Sequence, residues 1–207
     1  MDNYLITILL LFVLWGIIFL LRKDVRKALV WGGGTYALLI IPLTFLVRTL
    51  GKEANAITIK DGFYMFMVGG FAATAYEIFA PHKIENTKKH HHIVSMFIFL
   101  ASYCGIAFFL PWDPAWRFIA SSAAGWLAII MQRIDLFGAS IAGAFAFLTA
   151  YIAGFLLYHM AVGEVAWSVK NLLTVAYPFP VKELLYALAL GLMWTPLYEY
   201  MTGKSIR

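Results

Sequence analysis

The chain of 207 residues is 62% hydrophobic and 13% charged, with a formal net charge of +5 and a mean hydropathy of +0.80. One soluble core cannot hold that much apolar surface, so composition excludes an ordinary soluble domain and predicts a membrane protein. The positive surplus needs no nucleic acid, because a basic rim facing anionic lipid accounts for it.

Apolar runs of about 17 to 24 residues, the length that crosses a hydrocarbon core, predict helices near 4–21, 28–47, 62–80, 93–111, 115–131, 137–160 and 183–201. Asp2 precedes the first run, Arg22-Lys23 follows it and no small-residue cleavage site is visible, which predicts a retained span rather than a signal peptide. The second run opens on Gly32-Gly33-Gly34 and contains Pro42; the glycines suit close helix packing better than phosphate binding. The third begins at Lys60-Asp61 and ends at Tyr76-Glu77. After it, Lys88-Lys89 precede His90-His91-His92, with His82 nearby. Consecutive helix positions point in different directions, so this stretch predicts a basic loop and no metal site.

The fourth run holds the lone Cys104, which excludes an intramolecular disulfide. Ser121, Ser122 and Gly125 allow close packing in the fifth, and His159 stands near the end of the sixth. Trp167, Leu172 and Leu173 in 164–180 predict a short interfacial segment terminated by Pro178 and Pro180. The seventh run begins at Lys182-Glu183, contains Pro196 and ends at Tyr198-Glu199.

A pattern recurs in the third and seventh runs at one constant displacement: Lys60-Asp61, Tyr64, Gly69 and Tyr76-Glu77 return as Lys182-Glu183, Tyr186, Gly191 and Tyr198-Glu199. Trp15, Arg22 and Asp24 return as Trp126, Arg133 and Asp135 at a second constant displacement, somewhat shorter than the first. The expected fold is therefore an all-α membrane protein of seven transmembrane helices, arranged as two parallel three-helix repeats joined by a linker helix. The first repeat is placed at 1–82, the linker loop and fourth helix at 83–112, and the second repeat at 113–207. Of the 16 basic residues, Arg22, Lys23, Arg26, Lys27, Lys83, Lys88, Lys89, Arg133, Lys204 and Arg207 share one side. The positive-inside rule then predicts a multi-pass protein with its N-terminus outside and its C-terminus cytoplasmic.

Carboxylates inside apolar helices are costly unless partnered or used, which makes Asp61, Glu183, Glu77 and Glu199 the candidate catalytic groups. Sixteen residues separate the two acids of each helix, about 24 Å of rise, so they cannot act on one atom. Helix-dipole pairing is the plain alternative for Asp61 and Glu183. Pairing with Arg22, Arg133 or the basic rim is the alternative for Glu77 and Glu199.

These residues resemble the small integral-membrane lycopene cyclases, whose halves each carry a Pro-x-Glu-Glu or Pro-x-Glu-Asp motif entering the third helix, with a Tyr-Glu pair near its end. Pro180-Val181-Lys182-Glu183 keeps the proline and the second acid, and Thr58-Ile59-Lys60-Asp61 keeps the second acid. The resemblance implies a fused cyclase, or a divergent relative, that isomerises a lipid-soluble isoprenoid by redox-neutral acid–base chemistry. It makes Asp61 and Glu183 the first choice of acid and base, with Glu77 and Glu199 second. A carboxyl group in low dielectric keeps its proton more readily, and aromatic faces stabilise a cation. Tyr64, Tyr76, Tyr186, Trp194 and Tyr198 are the expected substrate-binding residues. No metal or other cofactor is implied; the partners are the isoprenoid and membrane lipid, and a homo-oligomer is allowed. Two other classes share the architecture: a small-solute carrier with the site on the repeat axis, and a noncatalytic isoprenoid-binding protein. The centres of the motif helices, 65–75 and 187–197, are mainly apolar, with Thr74 and Thr195 the chief polar exceptions. That composition favours a greasy substrate over a hydrated one.

Overall fold

Helix starts and stops follow local signals. The computed structural model describes residues 3–49, 58–79, 84–86, 93–162 and 181–206, which form α1 (Asn3–Leu21), α2 (Arg26–Thr49), α3 (Ile59–Phe79), β1 (Ile84–Asn86), α4 (Val94–Phe109), α5 (Pro114–Gln132), α6 (Phe137–Val162), α7 (Val181–Thr202) and β2 (Lys204–Ile206). Thr58 and Asp61 form a reciprocal cap on α3: the Asp61 carboxylate accepts from the Thr58 amide at 2.7 Å and from its hydroxyl at 2.8 Å. Asp113 caps α5 by accepting from the Ala115 amide at 2.9 Å, with Pro114 at the first helical position. Gly203 ends α7 at φ 69°, a left-handed conformation that costs glycine little. β2 follows at once and pairs antiparallel with β1, Glu85 opposite Ser205. Strands this short carry no periodic signal, and the sequence pattern did not predict them. The segment 164–180, His82 and the His90-His91-His92 run lie outside the described residues.

The corners after α1 and α5 are built alike. Arg22 and Arg133 each bridge the aspartate two residues on, both at 2.7 Å. Arg22 also donates to the Glu77 and Ile78 carbonyls, at 2.9 and 3.2 Å, satisfying the end of α3. Arg26 donates to the Phe19 and Leu20 carbonyls at the end of α1. These arginines, assigned from sequence to a topology signal, are helix caps and corner pins.

Glycine-mediated packing of α3 on α2 recurs between α7 and α6. A Cβ on Gly69 would lie 2.3 Å from Tyr36 Cβ and 2.9 Å from Gly32 O; one on Gly191 would lie 3.2 Å from both Phe147 Cβ and Gly143 O. Tyr36 and Phe147, like Gly32 and Gly143, are related by the same displacement as Trp15 and Trp126. Gly32 is pressed by Ala73 and Gly143 by Thr195, a pair related by the longer displacement of the motif helices. The core lies where these units meet. Fully buried Trp194 stands edge-on to Tyr36 and Phe99, with centroids 4.9 and 5.8 Å away. Its indole N–H donates to Gly32 O at 3.4 Å, and Thr195 Oγ1 donates to Ala72 O at 2.8 Å.

The expected seven transmembrane helices, and with them the integral multi-pass topology with N-terminus outside and C-terminus cytoplasmic, are corrected by the helices themselves. Among the described residues two stretches are long and apolar enough to cross a membrane, Arg26–Val47 and Ile134–Gly154; Leu5–Leu21 and Val94–Phe109 are apolar but shorter. Polar residues within the apolar helices face inward. Thr74, Glu77, Arg117, Ser121, Ser122, Thr195 and Glu199 are all buried, so α3, α5 and α7 spend much of their surface on neighbouring helices. The chain is an all-α bundle with a small two-stranded ribbon. Large apolar side chains also stand on its outside, Phe109 and Met131 most fully.

Candidate active site

An apolar cavity of about 390 Å³ opens between α1, α3 and α6. Thr7, Leu11 and Leu14 line it from α1, Tyr64, Val68 and Phe71 from α3, and Phe147, Ala150, Tyr151 and Gly154 from α6. The spacings explain the wall: 7, 11 and 14, or 64, 68 and 71, fall on one face of a helix. Aromatic rings from α3 and α6 face this space, Ala150 and Gly154 leave room between those of α6, and the aliphatic face of α1 closes the third side.

The charged group at this cavity comes from outside its lining. Tyr151 donates its phenol proton to Glu183 Oε2 at 3.3 Å, joining the cavity wall on α6 to the first turn of α7. Glu183 also acts on Tyr64 from the other wall: burial first, and then the nearby carboxylate charge, hold the Tyr64 phenol above its ordinary value. Glu183 thus bonds one phenol directly and acts on a second through its charge. Glu183 is half-buried, while the neighbouring Lys182 turns away to bridge Asp113 at 3.1 Å.

The four candidate acids have separate placements. Asp61 is occupied in the cap on Thr58, whereas Glu183 reaches Tyr151. Glu77 and Glu199 are buried near the far ends of α3 and α7, about 24 Å of helix from the first pair. The Glu77 carboxylate helps hold the Arg22 guanidinium above its ordinary value, after the larger effect of its hydrogen bond to Asp24.

Of the expected substrate-binding aromatics, Tyr64 lines the cavity. Tyr186 packs on Phe118 with centroids 4.5 Å apart and shares a hydrogen bond with Tyr36. Trp194 is core, and buried Tyr198 stands edge-on to Trp31 at 5.4 Å. Tyr76 is half-buried one residue before Glu77. Tyr151 and Phe147 were missed. The signal for Tyr151 was in the repeat, because its counterpart in the first half, at the shorter displacement, is Ile40, a change from apolar to phenolic at one position.

Among the described residues no cluster of three or more His, Cys, Asp and Glu side chains is arranged to hold a metal ion. Compared with family models, curated proteins and solved structures, the chain matches none of them.

Proposed function

We propose that the cavity between α1, α3 and α6 takes the end of a linear isoprenoid polyene of the lycopene type, and that Glu183, oriented by Tyr151, serves a redox-neutral cyclisation there. The hydrogen bond from Tyr151 to Glu183 at the apolar cavity carries this reading. Cyclisation adds a proton to a terminal double bond, closes a carbon–carbon bond onto the resulting cation and removes a proton from a neighbouring carbon. The product is an isomer, so no oxidant is needed. Supporting features are a carboxyl group able to exchange a proton, a mainly apolar wall, and the faces of Tyr64, Phe71 and Phe147 to shield positive charge. The cavity lies at the low end of the size range of small-molecule sites, which suits one end of a long chain. Glu183 also occupies the position of the acid shared with the cyclase motif.

The test is expression in cells that accumulate a linear polyene, with extracted pigments resolved for cyclic products. Glu183→Gln is expected to cut conversion by about 10² to 10⁴-fold, the usual contribution of general acid–base catalysis. Asp61→Asn is expected to cost about 1 kcal/mol of stability through the helix cap, without that loss of turnover. Unaltered conversion by Glu183→Gln would sink the assignment. Isoprenoid binding without turnover is the second reading, favoured because Asp61 is committed to its cap. Ligand retention with no cyclic product would establish it.

A further inference from the structure

We infer that the repeat relates two cavities, that the chain keeps the first open for one ligand, and that Phe118, Tyr36 and Leu43 plug the second. The displacement that relates Trp15 to Trp126 carries Thr7, Ala150 and Gly154 of the open cavity onto Phe118, Leu39 and Leu43, a larger side chain each time. Phe118, Tyr36 and Leu43 are buried, at 3%, 2% and 5% exposure. Phe118 lies 4.5 Å from the Tyr186 ring, and Tyr36, standing where the open cavity has Phe147, is hydrogen-bonded to the Tyr186 hydroxyl. Tyr186 is itself the counterpart of Tyr64. The same aromatic that lines space in one half is therefore clamped from two sides in the other.

Two positions run the other way. Leu11 and Leu14 correspond to Ser122 and Gly125, which alone would enlarge the second cavity. There Met193 of α7 and Phe99 of α4, a helix with no counterpart in the first half, fill the space beside Gly125: a Cβ on Gly125 would meet Met193 Sδ at 2.9 Å and Phe99 Cβ at 3.3 Å. The acids follow the same asymmetry. Glu183 has the Tyr151 phenol, whereas the residue corresponding to Tyr151 is Ile40, and the Asp61 carboxylate caps its helix instead. The inference rests on the open cavity being the isoprenoid site, and it adds that one chain end is handled per binding event.

Titration with cis-parinaric acid, a linear polyene whose fluorescence rises in apolar surroundings, tests this through the saturable stoichiometry per chain. The wild type is expected to bind one equivalent. Gly154→Phe should abolish it, because Gly154 has open space where a side chain would grow. Phe118→Thr with Leu39→Ala and Leu43→Gly, which copies the open cavity's residues, should raise it to two. Two equivalents in the wild type, none in the wild type, or one remaining in a helical Gly154→Phe protein would each overturn the inference. A helical triple variant that still binds one equivalent would overturn the plug. If that variant does not fold, Gly154→Phe still decides, since an unplugged second cavity would keep its ligand. One equivalent in a wild type that yields no cyclic product would leave this inference standing and sink the cyclase reading.

Discussion

Glu183 and Asp61 occupy the same place in two copies of one motif, yet their surroundings assign them different work. Asp61 has a threonine three residues earlier and closes a cap on it, an arrangement readable in the sequence as a capping box. Glu183 has a phenol 32 residues away across space, which no local pattern announces. Asp113 shows how a surface carboxylate ties two helices together. The Ala115 amide first, and then the Lys182 ammonium, hold its carboxyl below the ordinary value. A depressed folded value stabilises the fold above the unfolded carboxylate pKa of about 4, and that contribution is lost as pH falls through the folded value. Asp113→Asn is therefore expected to flatten the acid limb of stability against pH and leave stability near pH 7 lower than wild type. Thermal melts from pH 7 down to pH 3 would show it, and an unchanged acid limb would rule the pairing out as a source of stability.

Helices α3 and α7 meet their partners through glycines at matching positions. A Cβ at Gly69 would come within 2.3 Å of Tyr36 Cβ, and one at Gly191 within 2.7 Å of Ala144 Cα. Backbone and Cβ atoms cannot swing aside as a side-chain tip can, so Gly69→Ala and Gly191→Ala are each expected to destabilise by about 1–3 kcal/mol, as overpacking does. Gly34 and Gly138 face open space; alanine there should be neutral or stabilise by up to about 1 kcal/mol through helix propensity. Denaturant midpoints of the four variants separate the two classes. The spacing of Gly69 and Gly191 was visible as a repeat, but the residues they press against were not. Periodicity locates a helix face without naming what lies opposite.

Across the bundle, the halves are joined by few polar links inside a large aromatic core. Thr195 donates to Ala72 O from α7 to α3, and Trp194 donates to Gly32 O from α7 to α2. Thr195→Val removes a second donor from a carbonyl that keeps its helical one and is expected to cost about 0.5–1.5 kcal/mol. Trp194→Ala should cost about 3–5 kcal/mol by emptying the core. Equilibrium unfolding of both variants checks the order, and a smaller loss for Trp194→Ala than for Thr195→Val would contradict the core's place at the junction. The apolar exterior at Leu38, Phe109 and Met131 is of the kind that marks contact with another apolar surface.

Composition and periodicity carried the helical class, the approximate position of each described helix and the recurrence of residues at two constant displacements, because each depends on neighbours within a turn or on one stretch resembling another. They overstated the membrane spans, since apolar content does not distinguish a side chain facing outward from one packed against the next helix. The pairing of Glu183 with Tyr151, the cavity between α1, α3 and α6 and the filling of its counterpart by Phe118 and α4 emerged in the assembled bundle. A cavity is the volume left over where several distant segments meet, and two similar stretches leave different volumes once a helix present in one half alone packs against them.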